Sequence, residues 1–116
     1  MMRQLLIIVL NREEYLDDIL AELLEFEVAG ASVMEGVAME RVLAKDVPIF
    51  AGLLQTIQGS RAYNKNIFAV IPNRETALRL AEVLRGMGIN LGDPAVGMLF
   101  TLPVDLWLEG EAPSGS

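Results

Sequence analysis

The sequence predicts an α+β fold in which two helices lie on one face of a four-stranded antiparallel sheet. Three observations predict this fold. Apolar runs of strand length recur along the chain, two longer segments between them place apolar residues at helical spacing, and polar or glycine-rich stretches separate them. At 116 residues the chain has the length of one ordinary domain.

The first half of the chain begins with a continuous apolar run at residues 5–10, which predicts a buried strand. Asn11 and Glu14, three residues apart, predict a capping box that starts a helix. The helix carries apolar residues at positions i, i+3, i+4, i+7 and i+8. These residues are Leu16, Ile19, Leu20, Leu23 and Leu24. Residues 31–43 then predict a long second strand.

Residues 46–59 (DVPIFAGLLQTIQG) predict an extra short helix between strands 2 and 3. Asp46 suits the N-cap, Pro48 the first turn, and Gly59 the end. The apolar stripe of this helix is the predicted partner-binding surface, and it consists of Ile49, Phe50, Leu53, Leu54 and Ile57. Two roles stay open: the stripe packs on its own oligomer, or it docks on a protein partner such as a transporter or an enzyme.

The second half begins with a polar link at residues 59–66, in which Arg61, Tyr63 and Lys65 form either a small cationic cluster or a solvated turn. Residues 67–71 predict a third strand. Asn73 is placed to cap a second helix, whose buried stripe is Ala77, Leu80, Ala81 and Leu84. Residues 89–97 form a glycine-rich loop, and residues 96–102 predict the last strand. The domain is predicted at residues 3–108, followed by a flexible tail at 109–116.

The order β-α-β-β-α-β is typical of the ferredoxin-like sandwich. In such a fold both helices cover the same face of the sheet, so the other face meets water unless something else covers it. The first strand nevertheless places Leu5, Ile7 and Val9 on one side and equally apolar residues on the other. The last strand repeats this pattern. We therefore predict a homo-oligomer, either a trimer or a dimer.

Composition excludes several classes of function. With no cysteine and no histidine, the chain has no thiolate nucleophile and no imidazole base, and no cluster of Asp, Glu, Lys, Tyr or Ser indicates a catalytic site. The sequence therefore predicts a protein that is not an enzyme and has no metal site. A net charge of −7 with scattered basic residues argues against nucleic-acid binding. No apolar run reaches membrane-spanning length, and we expect a cytoplasmic protein.

Two segments are similar to motifs of the PII signal-transduction family. EVAGASVMEG precedes the second predicted strand, and GDPAVGMLFTLPV leads into the last one. The family motifs read roughly Gly-x-Thr-Gly-x-Thr-Val-x-Glu and Gly-Asp-Gly-Lys-Ile-Phe-Val-x-x-Val, and with the element order the resemblance covers about residues 3–108. It implies a trimeric regulator of nitrogen metabolism with inward-facing sheets. The resemblance also implies ATP or ADP in clefts between subunits, and a T-loop between strands 2 and 3 that reads 2-oxoglutarate.

Carried over residue by residue, the resemblance implies a ligand-binding set in two motifs. The set consists of Gly30, Ser32, Glu35, Gly92, Asp93 and Gly97. Ser32 matches the threonine that reaches the adenine, and Gly97 matches the last glycine of the late loop. Asp93 also has two simpler interpretations, as a metal ligand or as a turn residue before Pro94.

The cations that bind phosphate in the family are replaced here. The lysine is Met98, and the two arginines after the last strand correspond to Glu109 and Glu111. Because phosphate recognition needs cations or well-aimed backbone amides, these replacements argue against ATP or ADP bound in the family's manner. The small molecule is therefore left unidentified.

Two hypotheses of function follow. The first is a non-catalytic, PII-like regulatory homotrimer that senses a small molecule at clefts between subunits and signals to a protein partner through residues 44–65. The alternative is a structural or scaffold trimer whose nucleotide cleft is lost or is filled by the 46–59 helix.

Overall fold

The computed structural model describes residues 2–46 and 62–109. Seven helices and strands follow one another in these ranges. They are β1 (Gln4–Leu10), α1 (Leu16–Glu25), β2 (Ser32–Val37), α2 (Met39–Asp46), β3 (Tyr63–Ile71), α3 (Arg74–Gly86) and β4 (Gly97–Pro103). A short 3-10 helix, Glu13–Tyr15, precedes α1. The predicted α+β class is confirmed.

The four strands form one antiparallel sheet in the order β2-β3-β1-β4. The two central strands are β1 and β3, which pair from Gln4 opposite Ile71 to Leu10 opposite Lys65. On its other side β1 pairs with β4 along its whole length. The edges of the sheet are therefore β2 and β4. In sequence β2 and β4 are far apart, and the sheet also places them at opposite sides.

The core lies between one face of the sheet and the helices α1 and α3. From β1 it takes Leu6, Ile8 and Leu10, each fully buried. From the other elements it takes Ile19, Leu23, Ile67, Ala69, Ile71, Ala77, Leu80 and Leu84. Both helices therefore cover the same face, as predicted. We call this side of the sheet the covered face.

The predicted stripe of α3 is buried except for Ala81, which is only partly buried. The predicted burial of the α1 stripe is confirmed at its centre, where Ile19 and Leu23 are buried, and is wrong at its C-terminal end. Leu24 is 68% exposed. Because each residue turns the helix by about 100°, Leu24 lies well around the helix from Leu23 and faces away from the core.

The predicted capping box at Asn11 and Glu14 is wrong. The Asn11 Nδ2 donates to the Pro94 carbonyl oxygen at 3.2 Å, and the Glu14 carboxylate pairs with the Arg12 Nε at 2.6 Å. Residues of the 3-10 helix follow, and α1 begins only at Leu16. The Asn11 side chain, which local spacing predicts as the cap, instead binds a residue 83 positions away in sequence.

The predicted second strand at residues 31–43 is also wrong in its second half. The strand ends at Val37, and α2 begins two residues later. The amide N–H groups of Arg41 and Val42 donate to the Ala38 carbonyl oxygen, which starts the helix. Residues 38–45 are mostly strong helix formers, and they lack the apolar–polar alternation of a half-buried strand.

The third strand is longer than predicted, and the last strand is shifted by one residue to Gly97–Pro103. Four residues of the predicted polar link, from Tyr63 to Asn66, belong to β3. They pair with β2, from Val37 opposite Tyr63 to Met34 opposite Asn66. Cross-strand pairing supplies the backbone partners that a polar segment of this kind lacks in isolation. Asn73 does cap α3, since its Oδ1 accepts from the Thr76 amide at 3.0 Å.

Candidate functional site

The second face of the sheet is covered by neither α1 nor α3, and we call it the open face. Its residues follow from the strand registers, in which Ile7 lies between Phe68 and Phe100, and Val9 lies between Asn66 and Met98. The open face consists of Leu5, Ile7, Val9, Ser32, Met34, Gly36, Asn64, Asn66, Phe68, Val70, Met98, Phe100 and Leu102. It is therefore apolar over most of its width.

Large side chains of the open face reach solvent. Phe100 is 40% exposed, Leu102 49% and Met98 53%. None of the side chains on this face is charged, although the whole chain carries a net charge of −7. A flat, apolar and uncharged surface of this kind is typical of the centre of a protein–protein interface.

Where β2 pairs with β3, the open face carries three polar side chains, those of Ser32, Asn64 and Asn66. The two asparagines are in contact. The Asn66 Nδ2 donates to the Asn64 Oδ1 at 2.8 Å. Both amides lie over Gly36, because a Cβ at that position would come within 2.2 Å of the Asn64 Oδ1. The pair is not among the predicted site residues, because the sequence predicts a polar link at residues 59–66. The signal was the i, i+2 spacing of the two asparagines, which puts them on one face of a strand.

The predicted ligand-binding residues form two groups on opposite edges of the sheet. Ser32 and Glu35 lie on β2, with Gly30 just before it, whereas Gly97 starts β4. Gly92 and Asp93 lie in the loop that leads into β4. Since three strand spacings separate the edges, the two groups are roughly 14 Å apart. One chain therefore does not bring them together.

The late loop is held by its own hydrogen bonds. The amides of Gly92 and Asp93 donate to the Asn90 side chain and carbonyl, respectively. The Ala95 amide donates to the Asp93 carboxylate at 2.9 Å, and the next two amides donate to the Asp93 carbonyl. Pro94 has no amide N–H. From residue 92 to residue 97, every amide is bonded within the loop, so none is directed at a phosphate.

Asp93 and Gly97 also have clear roles in the fold. The Asp93 carboxylate accepts an amide two residues ahead, which is the usual Asx-turn contact. At Gly97 a Cβ would lie 2.2 Å from the Val9 carbonyl oxygen, so only glycine permits β4 to pair with β1 here. Gly30 has a φ of +82°, a left-handed backbone that favours glycine.

Glu35 forms an ion pair with Lys65, its neighbour across the strands, with 2.7 Å between Lys65 Nζ and Glu35 Oε1. The hydrogen bond from Lys65, with its positive charge, lowers the pKa of the Glu35 carboxyl. The same hydrogen bond raises the pKa of Lys65, and desolvation by burial opposes this shift. Lys65 therefore belongs to a strand and is paired with a carboxylate, so neither a small cationic cluster nor a solvated turn describes this residue.

A cavity of about 440 Å³ lies at the end of the sheet where β1 begins, next to the Gly30 turn. Arg3 and Trp107 line it together with Glu27 and Glu109. The Arg3 guanidinium lies 4.7 Å from the centre of the Trp107 ring, and the Val104 amide donates to the Arg3 carbonyl oxygen. These contacts hold the segment after β4 against the start of β1. Glu109 therefore borders the Gly30 group in the same chain.

The predicted partner-binding stripe, Ile49, Phe50, Leu53, Leu54 and Ile57, lies outside the described residues, as do Arg61 and Glu111. Within residues 2–46 and 62–109, no group of three or more acidic side chains is placed to hold a metal ion. Over the same ranges, no helix combines the length and the apolar character that crossing a bilayer requires.

Comparison with known proteins does not assign this chain to a family. No protein-family model matches the chain, and no curated protein is significantly similar to it.

Proposed function

We propose that this protein is a non-catalytic, PII-like regulatory homotrimer that binds a small molecule between its subunits. The observation that supports this proposal most strongly is the open face. It is apolar, uncharged and solvent-accessible in the single chain, whereas the opposite face is covered by α1 and α3. Covering it with further copies of the chain removes that apolar surface from water.

The ferredoxin-like fold belongs to the same proposal. It is supported by the strand order β2-β3-β1-β4, by the antiparallel pairing of all neighbours, and by the placement of α1 and α3 on one face. The motifs EVAGASVMEG and GDPAVGMLFTLPV lie at the two edges of this sheet. The resemblance implies ligand clefts between neighbouring subunits, and we propose that the two edges border such a cleft in the trimer.

The distribution of the predicted ligand residues supports a site shared between copies. Within one chain, Ser32 and Gly97 lie on opposite edges, too far apart for one small ligand to contact both. A site containing both motifs therefore requires the β2 edge of one copy beside the β4 edge of the next. The signal would then pass to a protein partner through residues 44–65, in the cytoplasm.

Self-association is tested with a matched pair of substitutions. Leu102 on the open face is 49% exposed, and Leu78 on α3 is 50% exposed. Leu102→Glu places a charge in the proposed interface and should reduce the particle to a single chain, whereas Leu78→Glu should leave the mass of the wild type. Sedimentation velocity over a range of concentrations measures both. A wild-type protein that stays a single chain throughout would overturn the proposal.

The small molecule is tested by calorimetry with ATP, ADP and 2-oxoglutarate. We expect no binding of ATP or ADP in the family's manner, because the late-loop amides are bonded internally and Met98 replaces the lysine. Saturable heat with 2-oxoglutarate or another small dicarboxylate, lost on Ser32→Tyr while the oligomeric mass is unchanged, would support a sensor. An oligomer that binds none of the three compounds would leave the ligand site without support.

The internal hydrogen bonds of the late loop favour one alternative, a scaffold trimer without a nucleotide site. Five amides from Gly92 to Gly97 are committed to loop oxygens. For a scaffold, amide exchange in this loop should be slow and should not change on addition of ATP, ADP or 2-oxoglutarate. A sensor should show altered protection there when its ligand binds.

A further inference from the structure

We propose that the asparagine pair of the open face, Asn64 and Asn66, selects a single arrangement of the copies in the oligomer. This inference rests on the proposed self-association through that face. The two amides are hydrogen-bonded to each other, and the neighbours of Asn66 in the register are Met34 and Val9. Asn66 therefore lies between apolar neighbours, whereas Asn64 lies opposite Gly36, just past the last β1–β3 pair at the end of the face.

The amides retain unused hydrogen-bonding capacity after their mutual contact. An amide group offers two N–H donors and an oxygen with two lone pairs. The contact between the Asn66 Nδ2 and the Asn64 Oδ1 uses one donor and one lone pair. If the open face is covered by a partner, the remaining donors on Asn64 and acceptor sites on Asn66 need partners there, because a buried polar group without a hydrogen-bond partner is destabilising.

A second copy of this chain is the partner that supplies matching groups. The same amide pair presents both donors and acceptors, so it is complementary to a copy of itself, or to polar backbone and side-chain groups that repeat by symmetry. The absence of charge on the open face favours the same partner. Two chains of net charge −7 repel one another, and the repulsion is smallest where an uncharged surface is in contact.

The open face supplies part of the area that self-association requires. Four strands of about seven residues span roughly 19 by 21 Å, or about 400 Å² in projection. Each partner contributes roughly 800 Å² of accessible surface to a standard interface, so a stable contact with a second copy would also bury residues around the rim of the face.

Selectivity follows from the cost of misplaced amides. An apolar sheet face can pack on a copy of itself in several registers at similar free energy. Only arrangements that bring the amide pair to polar partners avoid the cost of unpaired groups, so the others are disfavoured. A single buried asparagine fixes register and oligomer state in coiled coils by the same physics.

Gly36 is part of this arrangement. It leaves the space above β2 in which the amides lie, and a Cβ there would be 2.2 Å from the Asn64 Oδ1 and 2.6 Å from the Asn66 Nδ2. Gly36→Ala should therefore displace both amides while leaving every polar atom in the chain. The variant separates the position of the amides from their presence.

The experiment measures the distribution of masses by native mass spectrometry and sedimentation velocity. The wild type should give one oligomer. Asn64→Leu/Asn66→Leu should change the dissociation constant by about tenfold or less, because the net contribution of a hydrogen bond is small, but should give more than one oligomeric mass. Gly36→Ala should give the same broadening. Gln4→Leu is the matched control, since it replaces an amide by leucine on the covered face of β1, and it should keep the single mass.

Each other outcome overturns the inference in a distinguishable way. If the leucine variant keeps the wild-type mass as a single species, self-association stands and the selective role fails. If that variant, folded by circular dichroism, becomes a single chain, the amides supply affinity and not selectivity. If the wild type is itself a single chain, or associates only with phosphatidylglycerol vesicles, then another partner occupies the open face and the proposed function fails with the inference.

Discussion

The two faces of the sheet differ in their surroundings far more than in their sequence. On β1, Leu6, Ile8 and Leu10 are fully buried beneath the helices, whereas Leu5, Ile7 and Val9 point to the other side and keep contact with solvent. Both sets are aliphatic. β1 is therefore apolar on both sides, and within the described residues the helices α1 and α3 cover only one of them.

The largest expected effect comes from removing the same atoms on either side of β1. Ile8→Ala should lower the free energy of unfolding by about 2–5 kcal/mol at any protein concentration, because it leaves a cavity in a closed core. Ile7→Ala should cost less than Ile8→Ala when the protein is dilute. The cost of Ile7→Ala should then increase with protein concentration, because the open face becomes covered. Urea unfolding of both variants at two concentrations measures this. Equal costs in dilute solution would mean that the open face is not open.

A smaller effect is expected at the N-cap of α3, one of the two helices that cover the sheet. Asn73 caps α3 through the Thr76 amide, so Asn73→Ala should cost about 1 kcal/mol of the free energy of unfolding. Asn73→Asp keeps an acceptor at that position and is the matched control. Neither variant should change the oligomeric mass, because the cap is on the helix side of the sheet. A change in mass for Asn73→Ala alone would contradict the independence of the two faces.

The smallest effect concerns the ion pair between Glu35 and Lys65, which lies on the helix side at the β2 edge. Because the folded pKa of Glu35 is lowered, its contribution is present above the ordinary carboxyl pKa and is lost as pH falls through the folded value. Because the pKa of Lys65 is raised, its contribution is present below the ordinary amine pKa and is lost as pH rises through the folded value. The pair should therefore stabilise the protein only between these limits.

Glu35→Gln tests this pH dependence. Its melting temperature should lie slightly below that of the wild type near neutral pH and should converge with it in acid, where the wild-type carboxyl is protonated. The effect should be small, since the Glu35 side chain is 76% exposed and solvent screens the pair. In a Lys65→Met background the substitution should have no effect. A difference that persists below the folded pKa of Glu35 would assign the loss to packing.

Much of the fold was predictable because local periodicity carries it. The apolar run of β1, the buried stripe of α3 and its Asn73 cap are each set by neighbours within a few residues, and the structure confirms them. The predicted ligand residues were placed by resemblance alone. The structure locates them on two opposite edges, a separation that motif spacing along the chain does not reveal.

Two of the wrong predictions concern residues whose local structure is decided by distant contacts. Asn11 has the spacing of a capping residue, but its amide binds the Pro94 carbonyl oxygen. Asn64 and Asn66 look like part of a polar link, but pairing with β2 makes them strand residues with adjacent amides. In each case the competing partner comes from another element, and its position is fixed only after the sheet is assembled.

Side-chain periodicity predicts the class of the fold, the helices α1 and α3 and the two apolar sides of β1, because it follows directly from backbone geometry. It does not predict α2, which begins inside the predicted second strand. Which side of β1 is covered depends on tertiary packing. Leu6 and Leu5 are chemically the same residue, and the distinction arises because both crossover helices pack on one face of the sheet. Sequence periodicity shows that both sides of β1 are apolar, but it does not show which side the helices cover.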